Sequence, residues 1–375
     1  VRATSAALAE ARGTPARMTE LADKLATIRG HLDPGGLAAV RLRGSDWFAW
    51  ATGGGSSVVL TTSEVGVAEV LVTASEAWVL TDVIEAERLR EEELGDLAIW
   101  SHAWQSPAER DAFVARCAGH GRVASDRPGA GEVALPPGLA RARWTLRDPE
   151  VERYRALGRA AAEVMTEVLQ AARPEWTERA LAGAGAEALW SRGIDPALIL
   201  VAGERRLPRY RHPTPQREPL GARAMMVFCA RRHGLYACLT RHVSFRTPTS
   251  AERRAAAVVA QVEAAALAAS RPGAALSQVY AAIASAYARE GFPHAEDDHH
   301  QGGPCGYAAR EAIARPDAAD PLADGGAVAY NPSLPGMKIE DTALLRGAAV
   351  EFLTVDPAWP IVQVQGRPRP DLLVR

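Results

Sequence analysis

Short apolar runs broken by polar turns fill the first third of the chain. LAAVRLR (37–43), WFAWATGGG (47–55), SVVLTT (57–62), EAWVLTD (76–82), LAIWSH (97–102) and RVASD (122–126) each read as extended segments. Helical spacing appears between them at 20–31, 84–95 and 107–119. Strands alternating with helices predict an α/β unit. The Gly/Pro-rich stretch 129–144 closes it.

The rhythm then changes. Asp148-Pro149-Glu150 combines an N-cap residue, a proline at the first helical position and an acid in the first turn. It opens a long helix to about Ala172. A helix over 176–192 follows, then strands 222–231 and 234–246 joined at Arg232-His233. The order restarts with helices 250–270 and 275–291 and strands near 300–307, 326–331, 337–346 and 349–354. This is an α+β pattern with an internal duplication of element order. The predicted domains are 18–145 and 146–375; residues before Met18 read as a loose leader without a role.

Composition narrows the function classes. The 375 residues are 47% hydrophobic and 23% charged, as in an ordinary globular chain. A net charge of −2 without a basic block disfavours nucleic acid as a partner. No apolar run reaches the roughly 18 residues of a membrane span. Four cysteines in so long a chain are not a disulfide framework. A cytoplasmic protein is the expectation.

Four segments carry a resemblance: PRYRHPTPQREPLG (208–221), MMVFCARRHGLYACLTRHVSF (225–245), HHQGGPCGY (299–307) and VAYNPSLPGMKIEDTALL (328–345). In combination they resemble the pita-bread family of methionine aminopeptidase, aminopeptidase P, prolidase and creatinase over roughly 20–355. The resemblance implies a C-terminal pita-bread domain behind a smaller creatinase/prolidase-type α/β domain. Family peptidases hold two metal ions with two Asp, one His and two Glu. The match puts Val227, Cys238, Gly303 and Asn331 at four of those places and leaves only Glu340. The resemblance therefore implies a divergent, metal-independent member without cofactor. A turn at Arg232-His233 would set Val227 directly across from Cys238 and leave Cys229 diagonal to it.

Metal-free creatinase has this fold and hydrolyses a guanidino C–N bond. GYAAREA (306–312) resembles its Gly-Arg-Glu-Ala stretch, which implies that Arg310 binds a substrate carboxylate. A planar guanidinium suits that contact. His212 and His300 are the candidate proton carriers. On an extended chain, His299 and His300 would point to opposite faces. Asp297 and Asp298 either orient a histidine or cap a turn. Glu340 shares a strand face with Lys338. Asn331 and Tyr330 are candidates for substrate contact, as are Cys238 and Trp50. Cys238 is also an alternative nucleophile. The resemblance implies a homodimer in which Trp47, Phe48 and Trp50 close the partner's pocket; the alternative is that they are local core. The expected activity is cleavage of a C–N bond in a small carboxylate-bearing molecule. A lyase, cyclase or isomerase and a non-catalytic binding protein are the alternatives.

Overall fold

A computed structural model of the protein describes residues 15–375. Most of the expected leader lies outside the described residues, whereas Pro15–Met18 already begin the helix Pro15–Arg29. The chain divides into two compact units, one running to Arg143 and taking Arg147–Glu150, the other comprising Trp144–Leu146 and Val151–Arg375.

The first unit is built on a mixed six-stranded sheet in the order Ala98–His102, Ala77–Asp82, Val65–Thr73, Ala39–Gly44, Val123–Ser125, Val133–Ala134. Two sequence expectations fail here. The aromatic run is not a strand: Ser45–Ala51 is a helix, and it buries Trp47, Phe48 and Trp50. The aromatics favour strands by propensity, but their near-helical spacing lets all three enter the core together. Trp50 is 2% exposed, packs edge-on against Trp47 and lies beneath the Lys24 ammonium. It is core and not a substrate contact, so this segment no longer supports a cross-subunit role. SVVLTT is a loop with Val59 and Leu60 exposed. The strand beside it, Val65–Thr73, was not anticipated.

The second unit repeats an order of two helices followed by antiparallel strands. Asp148–Ala171 and Glu178–Trp190 precede the strands Asp195–Gly203, Arg223–Arg232 and Leu235–Ser244. Ser250–Ala269 and Leu276–Arg289 precede Gly302–Cys305, Ala327–Tyr330, Asp341–Arg346 and Ala349–Phe352. Thr249 and Glu252 cap the Ser250 helix reciprocally. Asp195–Gly203, whose LILV run is apolar, was missed by sequence reading. The two sheets meet where Thr240 bridges Glu340 and Cys238 N donates to Thr342 Oγ1 at 2.8 Å.

The hairpin register differs from the expectation by two residues. His233 and Gly234 both have positive φ, 54° and 77°, so they form the two-residue turn. Arg232 therefore pairs with Leu235, Cys229 with Cys238, and Val227 with Thr240. Cys229 is directly opposite Cys238, and Val227 is diagonal to it. Directly opposed residues share a face, so Val227, Cys229, Cys238 and Thr240 form one patch.

Candidate functional site

Glu340 is the centre of the site. The strand pair places it against Thr240, whose hydroxyl donates to Glu340 Oε2 at 2.9 Å. Arg310 Nη2 donates to Glu340 Oε1 at 2.5 Å, and Lys338 Nζ stands 3.6 Å from Oε2. Burial alone would raise the Glu340 pKa, but Lys338 and Arg310 override it and hold the carboxyl at about 2. Arg310 Nη1 also donates to Ala309 O at 2.5 Å and lies 3.3 Å from Cys238 Sγ. Lys338 is 6% exposed, yet among the described residues Glu340 is its only ion-pair partner, beyond hydrogen-bond distance. The strand alternation read from Lys338 and Glu340 is borne out.

The histidines behave differently from the expectation. His299 and His300 stack with ring centroids 4.4 Å apart instead of pointing to opposite faces. They lie between the 3-10 turn Ala295–Asp298 and the strand Gly302–Cys305, outside any ladder, so strand alternation does not govern them. His299 Nε2 is 2.8 Å from His212 Nε2. Arg211 pairs with Asp298 at 2.8 Å and ties the His212 loop to the histidine turn. Asp298 is therefore a loop tether. Burial, followed by Lys338, depresses His299 to about 2; burial, followed by Arg310 and Lys338, depresses His300 to about 4. Burial and Lys338 also lower His212, though less far. At neutral pH the trio is uncharged. His299 was discounted in the sequence; no feature of HHQGG marks it as the buried partner.

The remaining candidates separate clearly. Asn331 is 2% exposed and its Oδ1 has no partner. Tyr330 is core: its hydroxyl meets Ser270 Oγ at 2.7 Å within the apolar cluster that includes Val279 and Ile283. Strand geometry sends it away from Asn331, so it does not belong to the pocket. Cys238 lies beneath Arg310 with Cys229 Sγ at 3.6 Å. The contact with Cys229 draws the Cys238 thiol down despite burial, with help from Arg310, while Cys229 is pushed up. Burial drives Cys305 up to about 12, which makes it a poor nucleophile.

Unsatisfied polar atoms collect here. His299 Nδ1, His300 Nδ1, Arg310 Nε, Asn331 Oδ1 and Ser333 Oγ are all buried without a partner. Folded proteins satisfy most such groups, so a concentration of exceptions points to a ligand's place. The space beside Lys338 and Ser333 is only about 10 Å³, whereas His212 is open to solvent. A larger cavity of about 400 Å³, lined by Leu21, Leu25 and Leu97 among others, lies in the first unit. Among the described residues that line it, none carries a buried polar atom without a partner.

A family model described as metallopeptidase family M24 matches residues 152–347, more than half of the chain. The chain belongs to metallopeptidase family M24. Dipeptidase PepE from Mycobacterium ulcerans superposes with a TM-score of 0.76 at 19% identity, covering 95% of this chain and 98% of its own. The prolidase from Pyrococcus horikoshii gives 0.75 at 15% identity, covering 89% and 98%. The N-terminal domain of FACT complex subunit SPT16 from Cicer arietinum (chickpea) gives 0.68 at 13% identity, covering 90% and 96%. No curated protein matches the sequence significantly. The M24 chain thus has the pita-bread fold expected from its four segments.

The family name implies metal. A hard-ion pair needs several oxygen ligands converging on one space. Around Glu340 stand Arg310 and Lys338, two cations, with the thiols of Cys229 and Cys238 behind Arg310. At Gly303, a Cβ would run into the backbone carbonyl of Ala312, so this backbone leaves no room for a ligand side chain. Among the described residues, the one grouping of three or more His, Cys, Asp or Glu with metal-binding spacing is His212, His299 and His300. This donor set does not fit a carboxylate-held metal pair.

Proposed function

We propose that this M24 chain is an enzyme that cleaves a C–N bond in a small carboxylate-bearing molecule without the family's carboxylate-held metals. The observation that carries the reading is the state of Glu340: two cations already neutralise the single carboxylate a metal pair would need. A buried Lys–Glu–Arg set with surplus positive charge suits an anionic substrate better than a divalent ion. Lys338 is the cation most available to that anion. Arg310 can offer its unpartnered Nε edge while Nη2 holds Glu340.

His212 is the proposed proton carrier. It is uncharged at neutral pH, open to solvent and held against His299, which is positioned to fix its ring. Asn331 Oδ1 is a free acceptor suited to an amide or amidine N–H. The proposed residues thus anchor the carboxylate and bind the nitrogen group, while uncharged His212 takes a proton from the attacking water and passes it to the leaving nitrogen, so that the water oxygen bonds to carbon as the C–N bond breaks.

The test is a screen of N-acyl, amidino and lactam amino-acid derivatives, read by release of amine, ammonia or urea in the presence of chelator. His212→Ala should cut kcat by about 100-fold or more with little change in KM. If turnover is absent without added metal and returns with it, the reading fails.

A further inference from the structure

We propose that His212, His299 and His300 form a binding site for one borderline first-row divalent ion, copper(II), nickel(II) or zinc, held through imidazole nitrogens. The candidate ligand atoms of the three rings all lie within 4.8 Å of one another. His299 is 92% buried, and its Nδ1, like that of His300, is buried without a partner. Three converging imidazoles are what such an ion requires: the Nε2 atoms of His212 and His299 face one another, and the His300 ring lies beside both, with centroids 5.7 and 4.4 Å away.

Spacing favours entry. Ligand nitrogens about 2.0–2.1 Å from an ion stand roughly 2.9 Å apart at a right angle and roughly 3.3 Å apart in a tetrahedron. His212 Nε2 and His299 Nε2 are already 2.8 Å apart. A square arrangement therefore needs almost no movement, and a tetrahedral one needs an opening of about 0.5 Å. The Arg211–Asp298 tether holds the two ligand-bearing loops in register.

Donor chemistry selects the ion. Imidazole suits copper, nickel and zinc, whereas magnesium and manganese prefer oxygen. Lys338 and the Arg310–Glu340 pair leave one net positive charge nearby. That charge disfavours a bare dication and favours one carrying an anionic fourth ligand, such as chloride, hydroxide or a carboxylate. On the proton-transfer reading above, His212 works in the metal-free protein, and an ion bound here would take the lone pair His212 needs and inhibit turnover.

Untagged, chelator-treated protein is to be titrated calorimetrically with Ni²⁺, Zn²⁺ and Mn²⁺, and its Cu²⁺ complex examined by electron paramagnetic resonance. We expect one Ni²⁺ or Zn²⁺ per chain, Mn²⁺ at least tenfold weaker, and nitrogen hyperfine structure from three imidazoles. His299→Ala and His212→Ala should each weaken Ni²⁺ at least tenfold and remove one nitrogen from the spectrum. His212 is exposed, so its variant tests the site even if His299→Ala fails to fold. Wild-type affinity in His212→Ala, or no saturable site at all, overturns the proposal. The titration reads binding in substrate-free protein, so its outcome is separate from whether C–N cleavage is found.

Discussion

Glu340 and Asp341 are neighbours in sequence, both buried, and they live in opposite electrostatic worlds. Asp341 faces away from the site. Arg241 donates to its Oδ1 at 2.8 Å, Thr354 to the same oxygen at 2.6 Å, and Arg369 to Oδ2 at 2.7 Å. Arg369 is further held by both oxygens of Glu263, at 2.6 and 2.7 Å. Glu340, one residue earlier, is held at both oxygens by Arg310 and Thr240, but its second cation, Lys338, is a loose pair and Arg310 Nε is left without a partner. A closed network like that of Asp341 is how a protein ties its own sheets together. An open one costs stability and leaves surplus hydrogen-bonding capacity for a ligand. Burial and charge alone do not separate the two regions; the completeness of pairing does.

The comparison is broken most forcefully from the closed side. Asp341→Ala leaves Arg241 without its carboxylate partner and should destabilise the protein by about 3–5 kcal/mol in urea unfolding. A loss under 1 kcal/mol would mean the network is not structural. Arg310→Ala should cost roughly 2–4 kcal/mol of transition-state stabilisation, or about 30- to 1000-fold in kcat/KM, with little recovery in Arg310→Lys. Full activity in the alanine variant would remove Arg310 from the site. Lys338→Met should weaken a carboxylate ligand at least tenfold by calorimetry while leaving Tm unchanged or higher, since its ammonium is buried with one loose partner. A lower Tm with unchanged binding would place Lys338 on the structural side.

Titration acts on the same stability scale. His299, at about 2, and His300 and His242, both at about 4, remain neutral in the folded protein where the unfolded chain takes up protons. The unfolded state then binds more protons, so stability falls as pH drops below about 6.5. Each such site contributes a slope of about 1.4 kcal/mol per pH unit until its folded pKa is reached. The held-down Glu340 acts in the same direction, with its contribution lost as pH falls below about 4.3. Urea midpoints at pH 7 and pH 5 should separate clearly, and less so in His299→Phe. A flat profile would mean that these rings protonate in place.

Much of the second unit was legible because its periodicities are long. The helices Ser250–Ala269 and Leu276–Arg289, the two long strands of the hairpin and the Lys338/Glu340 alternation all follow from local pattern. Arg310 and Glu340 were found by resemblance, and the structure brings them together. The failures share a cause: a non-local choice overrode a local rule. The His233-Gly234 turn moved the register by two residues, because a histidine can adopt positive φ when glycine follows it in a tight hairpin turn. The His299–His300 stack escaped because alternation presupposes a ladder that is absent at those residues. Trp50 was a candidate through the resemblance and Tyr330 through its place beside Asn331, and core packing claimed both.

The central claim is that Glu340 serves ion pairing and not a metal pair. Protein purified with manganese and cobalt in the medium, then gel-filtered, should be assayed by elemental analysis and for manganese-dependent hydrolysis of Xaa-Pro dipeptides. The account predicts no retained manganese or cobalt pair and no manganese-stimulated cleavage. Two such ions per chain with manganese-dependent dipeptidase activity would contradict it.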